Sequence, residues 1–219
     1  MGKGSFGHNV LVMFTGTALG QLGPLLAAPI LARLYSAEMF GVQGAFTAAL
    51  FIAAVVAALR YEMAIPMAKT AEEAANLITL CFIALLAMTG ITTGLLWYLT
   101  PERYAWAHLG AFEPFRWWFP IGFVALGGYQ IMVYVATRQN DFKTIAATKL
   151  YQGVAGPLSQ IAMGLLHFGT LGLIIGFIIG QSMGTSRFVE QFIVGQWQML
   201  RSVRWAGIKE MAARYKNFP

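Results

Sequence analysis

The sequence predicts an all-α integral membrane protein: a bundle of six transmembrane helices over residues 1–190, then a C-terminal basic amphipathic helix over residues 191–219. Two observations carry that class. Apolar residue types fill 58% of the 219 positions and charged ones only 11%, with a mean hydropathy of +0.61, which is not the balance of a soluble domain. The charges also fall mainly between apolar runs of about 20 residues, the length that crosses a hydrocarbon core about 30 Å thick as a helix. A net charge of +6 does not signal nucleic acid here, because most basic residues flank apolar runs and form no single patch with exposed aromatics. Cys81 is the single cysteine, so an intramolecular disulfide and a multi-cysteine metal site are excluded. Inside an apolar run, it reads as packing.

The first span is Asn9 to Ala32. Lys3 followed by an apolar run would suit a signal peptide, but the run exceeds signal length and five spans follow, so it is read as a retained first helix. Met1-Gly2 begins like a myristoylation signal, yet Phe6 stands where Ser or Thr is needed. Gly16, Gly20, Gly23, Pro24 and Pro29 interrupt the span, with Gln21 among them. They predict a kinked, closely packed helix in preference to a binding site. Arg33 closes it and can snorkel outward.

The second span, Met39 to Leu59, carries no charge and is followed by Arg60, Tyr61 and Glu62, after which apolar residues resume to Ala68. On one reading the helix continues through these residues. Gln43, Thr47, Ala54 and Tyr61 then form a stripe about 40° wide facing an internal cavity. Arg60 and Glu62, about 200° apart, would flank it and need partners on other helices. On the other, the span reaches the interface by Leu59 and Arg60 is an ordinary cytoplasmic anchor.

Glu72 to Leu99 opens with acidic residues suited to a helix N-terminus and ends at Trp97 and Tyr98 as an interfacial belt. A loop over Thr100 to Arg116 leads to the fourth span, Trp117 to Thr137. There Gly127, Gln130, Tyr134, Thr137, Arg138 and Asp141 recur at helical steps, a polar stripe suited to a cavity wall. The fifth span, Thr144 to Leu166, has the clearest stripe: Lys149, Gln152, Gly153, Gly156, Gln160 and Met163 lie within about 100° of arc. Cavity lining is the favoured reading; hydrogen bonding between helices is the bland one. His167, Phe168 and Gly169 predict a tight turn into the sixth span, Thr170 to Val189. Its Gly172, Gly176, Gly180 and Gly184 form a small-residue face for close helix packing. From Arg187 onward the chain is basic and amphipathic. Trp197, Leu200, Trp205, Ile208, Ala212 and Tyr215 are offset from Arg201, Arg204, Lys209, Arg214 and Lys216, the pattern of a helix on an anionic leaflet.

Charge sets the expected topology. With a cytoplasmic N-terminus, the inner segments hold twelve of the fifteen basic residues and the outer ones only Arg33, Arg103 and Arg116. Both termini are then cytoplasmic. Gly2-Lys3-Gly4-Ser5 is too short for a phosphate-cradling loop, and His8, His108 and His167 are scattered, so neither ATP hydrolysis, metal binding nor enzymatic chemistry is expected, and no cofactor. Six spans with polar stripes and no energy-coupling motif suggest a secondary transporter or part of one.

Three stretches carry a resemblance: Arg33-Leu34-Tyr35-Ser36-Ala37-Glu38-Met39-Phe40-Gly41, Leu59-Arg60-Tyr61-Glu62-Met63-Ala64-Ile65, and Glu72-Glu73-Ala74-Ala75-Asn76-Leu77. With Gly180-Gln181, Gly184 and the closing Arg214-Tyr215-Lys216-Asn217-Phe218-Pro219, the chain resembles the N-terminal half of the bacterial polysaccharide-biosynthesis transporters. These are the oligosaccharide (O-antigen-type) flippases of the multidrug/oligosaccharidyl-lipid/polysaccharide superfamily. Ala37 departs from the proline usual there.

The resemblance implies one lobe of a flippase with twelve or more helices in the bacterial inner membrane. It would move polyprenyl-diphosphate-linked oligosaccharide repeat units outward by alternating access, for cell-surface polysaccharide such as lipopolysaccharide. A polysaccharide polymerase is a further implied partner. Such a substrate needs cations for the diphosphate, and Arg60, Lys149 and Arg138 are the candidates. Gln43, Gln130, Gln152, Gln160, Tyr61 and Tyr134 are candidates for the sugars. A drug or metabolite antiporter of the same superfamily is the alternative, with Glu62 as its transport-linked acid; another is a non-transporting component anchoring a glycan-assembly complex. The tail reads as a linker cut short, so activity is expected to need a C-terminal half or a homodimer partner.

Overall fold

The structure, a computed structural model, describes residues 3–98, 110–200 and 203–215; side chains are described at all of these except 3–10, 12, 111, 112, 186, 187 and 189–200. Arg103, His108, Arg201, Ser202 and residues 216–219 lie outside the described residues, as do the side chains of Lys3, His8, Arg187, Trp197 and Leu200. Among the described residues the fold is all helical: α1 (Lys3–Leu34), α2 (Ala37–Ala54), α3 (Ala71–Tyr98), α4 (Trp118–Arg138), α5 (Phe142–Leu165), α6 (Thr170–Leu200) and α7 (Trp205–Arg214). Tighter 3-10 turns span Tyr61–Met67 and Gly110–Phe115. Within α1 the segment Met13–Leu34, together with α2, α3 and α4, is long and apolar enough to cross a membrane. The apolar part of α6, Thr170–Thr185, is shorter.

Local chemistry explains the helix starts. Ser36 caps α2, its Oγ accepting from the Met39 N–H at 3.3 Å, with Glu38 in the first turn favoured by the helix dipole. At α3, Thr70 Oγ1 accepts from the Glu73 N–H at 3.1 Å while the Glu73 carboxylate accepts from the Lys69 N–H at 2.8 Å, a reciprocal cap of the Thr-x-x-Glu kind. Asp141 caps α5, accepting from the Thr144 N–H and, at 2.6 Å, its hydroxyl. The expected tight turn joins α5 to α6, with His167 and Gly169 both left-handed at φ 60° and 57°.

α5 is the spine. α1 lies along one side of it and α6 along the other; α4 packs on α6 and α3, and α2 sits against α4 and α6. The glycines make the close approaches possible. A Cβ at Gly16 would stand 2.5 Å from that of Ala146, and one at Gly23 would run into the Gly153 carbonyl oxygen. On the other side, Gly180 faces Gly156 and Gly176 faces Gln160, so the small-residue stripe on α6 does bring another helix close. Phe46, Leu50, Leu77, Leu85, Phe123, Ile131 and Ile174 are among the residues buried in the main core, between α2, α3, α4 and α6.

Three expectations need correction. The second helix does not run through Arg60. It ends at Ala54, and Leu59 and Arg60 take left-handed backbone (φ 49° and 60°) before the 3-10 turn. Each such residue costs about 1–2 kcal/mol, which burial of Ala57, Ala58, Ala64 and Ile65 between α3 and α4 offsets. The stripe joining Gln43 to Tyr61 therefore does not exist. Nor is there a break at 190: α6 continues unbroken to Leu200. And α7 is packed on α3 through Ile208 and Met211, both buried, while Trp205 stays exposed. Asn76, itself buried, accepts the Arg204 N–H at 3.1 Å, and Arg214 pairs with Glu73 and Glu210, both at 2.8 Å.

Candidate ligand cavity

A cavity of about 500 Å³ lies between α1, α2, α4, α5 and α6. That volume suits a ligand or part of one. Its floor is α5, which contributes Lys149, Gln152, Gly153, Gly156, Pro157 and Gln160. α1 and α2 form opposite walls. They follow each other in sequence across a two-residue turn, yet α1 rests on α5 and α2 on α4 and α6, so they do not pack together along their lengths. Gln21, Pro24 and Phe51 are exposed on these walls.

Lys149 is the cation of this cavity. Its Nζ stands 4.8 Å from the centre of the Tyr129 ring, over its face, and donates to Gln152 Oε1 at 3.4 Å. Gln152 in turn donates from Nε2 to Gln181 Oε1 at 3.1 Å. Among the described residues the lining holds no carboxylate, and Lys149 has no carboxylate within ion-pairing distance. A cation among apolar helices without a counter-charge is costly until an anion arrives.

Gln160 also lines the cavity, but its amide is partly committed. Nε2 donates to the Leu173 carbonyl at 3.1 Å; the main-chain carbonyl of Gln160 separately accepts from the Tyr35 hydroxyl at 2.7 Å. Here the bland reading of interhelical bonding holds. Gln43 and Gln21 make no side-chain hydrogen bond among the described residues and present free amides to the space.

Four of the sequence-predicted residues thus meet: Gln43, Lys149, Gln152 and Gln160. Six do not line the cavity. Arg60 stands at the start of the 3-10 turn, and the Tyr61 hydroxyl reaches the Ala212 carbonyl on α7 at 3.5 Å. Glu62 is 2% exposed beneath that turn, with one carboxylate oxygen unpartnered among the described residues. Burial pushes its carboxyl above the ordinary range, opposed by its own backbone N–H and the Arg60 charge. Arg138 ties down the segment before α3, donating to the carbonyls of Ala68 at 3.3 Å and Thr70 at 3.2 Å. Gln130 and Tyr134 are half-buried on α4, Tyr134 against the main core.

Four polar or aromatic-hydroxyl lining residues, Thr17, Gln21, Tyr129 and Gln181, are not among the sequence-predicted set. Gln21 was legible as a polar residue amid glycines but was read as packing. Gln181 sits one step past Gly180 and needed the α5–α6 crossing to bring it to Gln152. Tyr129 carried no signal, because an aromatic residue in an apolar span reads as core. Comparison with known protein families, curated proteins and solved structures finds no match.

Proposed function

We propose that this chain moves a lipid-linked anionic glycan, a polyprenyl diphosphate carrying an oligosaccharide repeat unit, across the bacterial inner membrane by alternating access. The observation that carries the reading is Lys149: a cation that has no carboxylate partner among the described residues, flanked by amides, in a cavity lined by residues of two membrane-length helices, α1 and α2. Lys149 would take the diphosphate. Gln21, Gln43, Gln152 and Gln181 would take sugar hydroxyls, and the gap between α1 and α2 would pass the lipid tail. In this reading α5 and the apolar part of α6 complete six spans, both termini face the cytoplasm, and a second lobe or a second copy closes the transport path. An antiporter driven by Glu62 is less favoured, since that carboxyl is buried beneath the 3-10 turn and does not line the cavity.

The test is export in cells that lack the chain and receive variants of it. Lys149→Ala should leave lipid-linked glycan on the cytoplasmic leaflet at normal protein level in the membrane. Arg60→Ala should export normally. Full export by Lys149→Ala would overturn the reading.

A further inference from the structure

We infer that Tyr129 is the positioning residue for the Lys149 ammonium, holding it at the cavity surface as the recognition point for a diphosphate-bearing ligand; this rests on the anionic-substrate reading above. The ring is fixed from several sides. The Thr148 hydroxyl donates to the Ile145 carbonyl at 2.7 Å, so the Tyr129 hydroxyl, 3.1 Å from Thr148 Oγ1, must be the donor there. Thr148 is fully buried and Tyr129 is 6% exposed. Phe188 packs on the ring with centroids 5.9 Å apart. Gly184 leaves room for both the ring and its neighbour: a Cβ there would stand 2.9 Å from Tyr129 Cε2 and 2.6 Å from Gln152 Nε2.

The consequence is a pre-set cation. Lysine has a flexible four-carbon stem and would otherwise range over the cavity or withdraw toward water. The ring's negative face and the Gln152 oxygen restrict it to one place without neutralising it. A carboxylate there would cancel the charge and repel a diphosphate. A π-face and an amide oxygen leave the charge available while lowering the ordering cost of binding. Tyr129 touches Lys149 and acts through it.

The experiment measures binding of farnesyl diphosphate to the full chain in detergent, with farnesol as the uncharged control and inorganic pyrophosphate as the lipid-free anion. Lys149→Met should abolish the preference of farnesyl diphosphate over farnesol. Tyr129→Leu should weaken farnesyl diphosphate binding about 2- to 10-fold, the range expected for ordering one long side chain that the ring otherwise holds in place. Tyr129→Phe should keep the affinity within about 2-fold, because the ring face remains. In the Lys149→Met background, Tyr129→Leu should add nothing, an interaction that a merely structural role would not produce. If Tyr129→Leu fails to fold, phenylalanines of increasing ring fluorination at position 129 keep the shape, and affinity should fall with each fluorine. Unchanged or tighter binding by Tyr129→Leu or by the fluorinated rings would overturn the inference while leaving Lys149 in place. Indifference to Lys149→Met would remove the functional reading itself. Pyrophosphate binding as tight as farnesyl diphosphate would assign the site to a free anion, and against the lipid-linked class.

Discussion

Gly153→Ala tests the crossing on which the cavity depends. An added Cβ would stand 2.7 Å from the Gly20 carbonyl carbon and 2.8 Å from its Cα, and closer still to the carbonyl oxygen. Comfortable carbon–carbon contact is about 3.5–4.0 Å and the carbonyl oxygen lies nearer than either carbon, so α1 must retreat by roughly 1 Å or more along the crossing. All three obstructing atoms are backbone, and no rotamer change relieves them. A radial gap of that size forfeits about a quarter to a half of each neighbouring contact's attraction. The expected loss is therefore about 1–3 kcal/mol, the usual cost of overpacking a close interface. Because α1 carries Thr17 and Gln21 on the cavity wall, its retreat should also widen the mouth and weaken farnesyl diphosphate binding. Gly44→Ala is the control, since a Cβ there meets nothing within 4 Å. Thermal unfolding of the two purified variants in one detergent decides the matter. A Gly153→Ala protein that melts with Gly44→Ala would refute the packing argument.

Three further outcomes are expected. Glu62 has its carboxyl raised by burial, so the folded protein holds a proton that the unfolded chain releases; the stabilisation is complete below the ordinary carboxylate value and is lost as pH rises through the raised one. Glu62→Gln should flatten that decline in a melting-temperature series across pH, and a variant that keeps the wild-type slope would show another group to be responsible. Asn76→Ala should strand the Arg204 N–H, costing about 1–3 kcal/mol where α7 docks. Hydrogen exchange should quicken over 205–215 and stay unchanged over 118–138; equal protection in variant and wild type would mean that Asn76 does not hold α7. Under the proposed orientation, with a cytoplasmic N-terminus, cysteines introduced at Ala37 and His167 should react with an impermeant reagent from outside, while those at Thr70 and Asn140 should not. Labelling at Thr70 from outside would reverse the orientation.

The α5 stripe was legible because it lies within one unbroken helix, where 100° per residue is a reliable ruler: Lys149, Gln152 and Gln160 share a cavity as their spacing demanded. Gly172, Gly176, Gly180 and Gly184 were legible for the same reason. The ruler failed after Ala54. No proline or glycine lies between residues 55 and 60 to announce the break, which is made by buried alanines and Ile65 wedged between α3 and α4. Of the two readings of this stretch, the one that continues the helix and sets Arg60, Tyr61 and Glu62 around the cavity therefore fails.

Sequence alone determined the helical class, four membrane-length apolar helices out of the six spans expected, and the small-residue face along which α6 packs, because hydropathy and periodicity are sums over neighbouring residues. Tertiary structure alone decided which polar groups meet. Arg138 Nη2 is drawn to the Ala68 and Thr70 carbonyls, Gln160 Nε2 to that of Leu173, and Lys149 is left over the Tyr129 ring. A polar side chain is satisfied by whatever donor or acceptor the crossing of helices brings within about 3 Å, and the sequence holds no record of that distance.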